Sequence, residues 1–167
     1  HPVQVKYHRV LERQTPGPDR EPQRLSRLGE PLLRTALDEA EQSFRFSSRE
    51  LDLLQLAHYW RLLEAAGFAA GGGPWAGIVG TDQVASLGNV RVISWVRLDV
   101  KAIRTFSRTA ATGWRRRSPL ERYDHEHGFR VKVAQVAQRQ CGTPDDPPLG
   151  VMPIRVRECD RCVWWET

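Results

Sequence analysis

The sequence predicts a mixed α/β fold. Three observations predict it: an alternating stretch at Val3–His8, a run of helix formers from Ser48 to Ala66, and two further extended stretches at Trp75–Thr81 and Val90–Leu98. A strand, a long helix and two more strands, in that order, make a sheet with helices packed against it.

In the first stretch side chains alternate, so Val3, Val5 and Tyr7 fall on one side and Gln4, Lys6 and His8 on the other. This predicts a half-buried strand with one apolar face and one face of polar tips. Residues 13–31 are crowded with Arg, Pro, Gly and Ser, which predicts a long surface loop, and Pro31–Gln42 reads as a short helix.

Ser47 and Glu50 have capping-box spacing ahead of the long helix, and Gly67 stops it. Leu51, Leu53, Leu54, Leu56, Ala57, Trp60, Leu62, Leu63 and Ala65 are apolar almost all round, so burial on most sides is expected. Asp52, Gln55 and Tyr59 form a narrow polar stripe at i, i+3 and i+7.

Gly71-Gly72-Gly73-Pro74 makes a turn into the two later strands, which are joined by a polar turn around Gly88-Asn89. A second helix starts at Ser118, with Pro119 at its first position and Glu121 completing a capping box, and runs to about Gln140. Leu120, Tyr123, His127, Val131 and Ala134 are expected to form its buried face. A Pro-rich linker at 143–148 leads to a tail containing Cys159 and Cys162.

A chain of 167 residues holds one domain with a sizeable core, or part of one. Its longest apolar run falls far short of the ~20 residues that span a bilayer, so no membrane segment is expected. A net charge of +5 is compatible with a polyanionic partner. Three cysteines are too few and too unevenly placed for a secreted disulfide scaffold, which points to a reducing, cytoplasmic compartment. The chain opens on His1 directly ahead of a strand, and we expect it to begin in mid-fold.

Gln4 and Lys6 project from one face of their strand. An amide oxygen there can help hold a divalent metal while the ammonium steers a water or stabilises phosphate charge. The same triplet also suits the wet face of an edge strand. On the long helix, Gln55 and Tyr59 stand one turn apart, able to meet a phosphate or a base or to satisfy each other within the core.

A Gln4-Val5-Lys6 strand followed by a helix with Gln55-Leu56-Ala57-His58-Tyr59 resembles the RecB-like branch of the PD-(D/E)xK nucleases. The stretch Asp52–Trp60 is particularly similar to bacterial RecB-family recombinases or nucleases. The resemblance implies a restriction-endonuclease-like mixed sheet flanked by helices, incomplete because the N-terminal core elements are missing. Residues 1–105 would be the C-terminal half of the nuclease core, 106–142 a basic loop and helix, and 143–167 a linker and cysteine-containing tail. Gln4 would occupy the metal-binding acidic position, where the family usually has Asp or Glu. Lys6 would be the catalytic lysine, and Gln55 with Tyr59 the DNA-contacting motif.

The implied cofactor is Mg²⁺ or Mn²⁺ and the implied partner is DNA, single-stranded or end-bearing, with a helicase, another repair protein or a further domain of the same chain beside it. The implied role is in DNA repair or recombination. A second triplet, Asp99-Val100-Lys101, is followed by no such helix and reads as a strand-end polar pair.

The two-residue gap between Cys159 and Cys162 lets both thiolates ligate one metal centre, as in a zinc site, or form a redox pair, and it equally suits two cysteines with no joint role. By resemblance to RecB-like nucleases with an iron-sulfur cluster, the two would bind a 4Fe-4S cluster shielded by Trp164 and Trp165, with Zn²⁺ as the alternative. That family's last cysteine would fall just after Thr167, so a second cut is expected there. Cys141 reads as a buried thiol. Trp114-Arg115-Arg116-Arg117 is a basic and aromatic patch in which Arg115 and Arg116 could meet DNA, or else a solvated loop. The leading expectation is part of a DNA nuclease whose intact parent cleaves while this piece alone does not. The alternatives are an inactive DNA-binding or scaffold module with a structural metal site, and a zinc-ribbon-like domain.

Overall fold

The computed structural model describes residues 1–14, 23–33, 35–36, 43–46 and 49–148. It divides into two compact units, His1–Asp124 and His125–Thr167.

The first unit is mixed α/β. Its main sheet has five strands: β1 (Val3–Val5), β3 (Arg24–Arg27), the two-residue β4 (Thr35–Ala36), β6 (Trp75–Val84) and β7 (Val90–Arg97), in the order β1-β6-β7-β3-β4. β1 pairs with β6 in parallel, with Gln4 opposite Ile78, and the other pairings are antiparallel. A parallel pair needs a crossover, and the connection here contains helix α1 (Glu50–Ala65). Two ribbons complete the unit: β2 (Leu11–Gln14) with β5 (Ser43–Phe46), and β8 (Ile103–Phe106) with β9 (Trp114–Arg117).

The core lies between α1 and the sheet, where Leu56, Ala57 and Trp60 pack with Ala76, Ile78, Val92, Leu98 and Leu120. The opposite sheet face carries a smaller cluster of Val79, Ile93 and Trp95, closed by the Trp95 indole N–H donating to Ser26 Oγ at 2.8 Å. The β6–β7 turn places Gly88 and Asn89 in the left-handed region, as their residue types suggest.

α1 starts later than expected. Arg49 occupies the N-cap with no side-chain cap bond, so Glu50 is the first helical residue and not the third, while Ser47 lies outside the described residues. Its far end is a Schellman motif: Phe68 N–H donates to Leu63 O, Gly67 N–H donates to Glu64 O, and Gly67 adopts φ 76°. The helix is buried along one stripe only, with Leu51 79% exposed and Leu62 also outside, because one sheet face covers one side of it.

Other expectations change as well. Within 13–31 lies β3, whose Leu25 and Ser26 are buried because β7 and β4 flank them. In the segment read as a short helix, Thr35–Ala36 is a strand, and Arg34 and 37–42 lie outside the described residues.

Helix α2 (Pro119–Ala137) has the predicted reciprocal box: Glu121 N–H donates to Ser118 Oγ at 3.1 Å and Ser118 N–H to Glu121 Oε2 at 2.8 Å. Its expected buried face is not formed, since Leu120 is buried but His127, Val131 and Ala134 are exposed. In the second unit no described residue is buried. There Asp146 closes a turn by accepting the N–H groups of Cys141, Gly142 and Thr143 at 2.9, 2.8 and 3.2 Å. That turn leaves Cys141 exposed, not buried.

Candidate functional site

The extended segment of β1 and the residues after it, Lys6 included, is turned the other way from the usual half-buried strand. Val5 and Tyr7 are 66% and 98% exposed, while Gln4, Lys6 and His8 turn inward and are half-buried. The reason is on α1, whose polar stripe faces that side and offers Lys6 and His8 partners that a hydrocarbon face would not.

Beyond β1 the chain stays clamped to β6. Lys6 N–H donates to Val79 O at 2.8 Å and Thr81 N–H to His8 O at 3.1 Å. The register of β6 shifts between Val79 and Gln83, and there Asp82 turns inward to accept the N–H groups of Val10 and Leu11 at 2.6 and 3.1 Å and Arg9 Nε–H at 3.0 Å. A Cβ on Gly80 would stand 2.8 Å from His8 O, so the close approach needs a glycine.

Asp52, only 7% exposed, is the centre of the cluster. Lys6 Nζ lies 2.7 Å from its Oδ1 and His8 Nε2 lies 3.1 Å from its Oδ2. A carboxylate only accepts, so the proton of His8 is on Nε2 in this contact.

Lys6 Nζ also donates to Gln55 Oε1 at 3.1 Å, and Gln55 Nε2 donates to Tyr59 Oη at 2.8 Å. An ammonium has no acceptor, so it fixes the amide with its oxygen towards Lys6 and its NH₂ towards Tyr59. The phenol therefore accepts from Gln55 and has its own O–H left to donate outward. The arrangement presents donors to solvent, the third ammonium hydrogen and the Tyr59 hydroxyl, and suits an acceptor-rich group such as a phosphodiester.

Lys6, Gln55 and Tyr59 are thus brought together. Gln4 is on the same strand face as Lys6, and its Oε1 is buried with no hydrogen-bond partner among the described residues. Asp52 and His8 join the site without having been assigned a role. The signal for them was present in the i, i+3, i+7 stripe and in the alternation that puts His8 beside Lys6.

Arg115 and Arg116 are exposed on β9, a paired strand and not a loop. Asp99 ion-pairs with Arg97 at the end of β7, as a strand-end pair would. Cys159, Cys162, Trp164 and Trp165 lie outside the described residues.

The donor set does not meet what Mg²⁺ or Mn²⁺ takes. Such ions prefer several hard oxygens, with carboxylates foremost. Here one carboxylate, Asp52, is already engaged by two nitrogen donors, and Gln4 offers one neutral oxygen. Among the described residues no three His, Cys, Asp or Glu side chains form a group that could hold a metal.

No protein-family model matches the chain, and neither a curated protein nor a solved structure matches it. Among the described residues no helix is long and apolar enough to cross a membrane.

Proposed function

We propose that Lys6, Gln55 and Tyr59 are the phosphate-handling part of a RecB-like DNA nuclease site, carried on a restriction-endonuclease-like core. The observation that carries the reading is the Lys6–Gln55 hydrogen bond. It joins residues 49 apart in sequence that the resemblance to this nuclease branch assigns to one site. In this reading Lys6 stabilises charge on the scissile phosphate or holds the attacking water, and Gln55 with Tyr59 positions the strand. Asp52 and His8 act as positioning residues that hold the ammonium in place.

The nuclease reading includes Mg²⁺ or Mn²⁺ as cofactor with Gln4 as a ligand, but the donors described do not fit the ion, and no step is assigned to it. It also includes a 4Fe-4S cluster or Zn²⁺ at Cys159 and Cys162, a place in DNA repair or recombination, and a helicase or other repair protein as partner. A brown protein with visible absorbance would favour the cluster, since Zn²⁺ with its filled d shell is colourless.

In the intact protein Lys6→Ala should abolish Mn²⁺-dependent cleavage of single-stranded or end-bearing DNA while leaving DNA binding nearly unchanged. Cleavage at the wild-type rate by that variant sinks the assignment. The second reading, a DNA-binding module without cleavage, is favoured by the neutral amide at Gln4 and the incomplete donor set. It predicts binding that depends on Gln55 and no cleavage with either ion.

A further inference from the structure

The β8–β9 ribbon carries a feature independent of the Lys6 site. Residues directly opposite in an antiparallel pair share a face, and the register sets Arg104 against Arg116 and Phe106 against Trp114. Ile103 and Thr105, which alternate with them, are buried, so the four lie together on the outer face. Phe106 and Trp114 are 66% and 47% exposed there, with ring centroids 6.2 Å apart and planes at 89°. The Arg104 guanidinium lies 4.5 Å from the Trp114 ring centroid.

Two large aromatic rings are seldom left in water side by side without a use. Residues 103–117 contain five arginines and no Asp or Glu, so the ribbon itself carries only positive charge. Among the described residues neither Arg104 nor Arg116 has a carboxylate partner. The sequence alone put Arg115 and Arg116 together, but the pairing separates them: Arg115 stands opposite Thr105, whose hydroxyl donates to Arg115 O at 3.1 Å, and so belongs to the other face.

We infer that the outer face of this ribbon binds single-stranded DNA, with bases stacking on Trp114 and Phe106 and the phosphates taken by Arg104 and Arg116. An unpaired strand offers both a ring face and a phosphate at every nucleotide, whereas a duplex hides its ring faces. An arginine resting on an exposed indole is held weakly, so an incoming base can replace it and free its guanidinium for phosphate. The inference rests on the nuclease reading only in choosing DNA over RNA.

The test is fluorescence anisotropy of a labelled oligothymidylate with the full chain, with melting curves to show that each variant is folded. Trp114→Ala should weaken binding about tenfold. Trp114→Phe should restore most of the loss. Arg104→Ala and Arg116→Ala should each lower the slope of log affinity against log salt by about 0.7. Lys132→Ala, which removes an exposed charge from the other unit, should change neither quantity.

Wild-type affinity in a folded Trp114→Ala, Phe106→Ala double variant overturns the proposal, as does equal affinity for duplex DNA. Equal or tighter binding of oligouridylate overturns the choice of DNA. Cleavage at the wild-type rate in Lys6→Ala overturns the nuclease site alone and leaves the ribbon's binding of the oligothymidylate standing, so the two proposals fail separately.

Discussion

Lys6 Nζ lies 2.7 Å from Asp52 Oδ1, joining the first strand to the crossover helix through a pair in which the lysine is one-fifth exposed and the aspartate one-tenth. The same carboxylate takes His8 on its other oxygen. Removing it takes the carboxylate from two part-buried nitrogen donors at once and leaves Lys6 with Gln55 alone, whereas removing either donor leaves the other in place. Asp52→Ala should therefore lower unfolding free energy by about 3 kcal/mol. Urea denaturation checks this, and the Lys6→Met, Asp52→Leu double variant should lose less than the sum of its singles.

Tyr59 separates function from stability. The residue is 36% exposed, and its hydroxyl is the far end of the Lys6–Gln55–Tyr59 chain. Tyr59→Phe should cost no more than about 1 kcal/mol of stability while weakening DNA binding at the Lys6 site severalfold, as read by anisotropy. Unchanged binding would mean that the phenol does not face the nucleic acid.

Gly80 lies where β6 shifts register against β7, with its backbone close to the His8 segment. A methyl group there meets His8 O at 2.8 Å and Val10 Cγ2 at 2.8 Å, and the first is backbone that cannot rotate away. Gly80→Ala should cost about 1–3 kcal/mol and displace His8 from Asp52. A chemical-shift change at the His8 imidazole, seen in a variant that still folds, checks the displacement.

Asp99 supplies a pH dependence of known sign. The Arg97 guanidinium, hydrogen-bonded to it, holds its carboxyl below the usual carboxylate range. A depressed carboxyl contributes stability above its unfolded pKa of about 3.9 and loses it as pH falls through the folded value. Both side chains are about two-fifths exposed, so water screens the pair and the contribution should be no more than about 0.5 kcal/mol. Asp99→Asn should be slightly less stable than wild type at neutral pH and equal to it in strong acid, which paired urea titrations check.

Local chemistry is legible at several points where a residue and its near neighbours decide the outcome, although the Ser47–Glu50 spacing does not mark the start of α1, whose N-cap is Arg49. Ser118 with Glu121, Gly67 after the long helix, and Gly88-Asn89 between two strands each act within one turn of chain, and each is found as expected. Burial was misread wherever it depends on what lies opposite. Val5 and Leu51 are apolar and exposed, His127 and Val131 fit a helical face but are exposed, and Leu25 is buried in a stretch that reads as loop. Periodicity reports that a face exists, and only the neighbouring elements determine which face is covered.

The sequence by itself determined the mixed α/β character, the two helices, and the residue types able to handle a phosphate: Lys6 on a strand, Gln55 and Tyr59 on a helix. Only the tertiary structure decided that these meet, that Asp52 and His8 join Lys6 there, and that Arg104 and Phe106 share a face with Trp114 and Arg116. The physical reason is range. Helix and turn signals act over a few residues, whereas the contact between Lys6 and Asp52 and the faces of the ribbon are set by strand register, which the chain acquires only when distant segments pair.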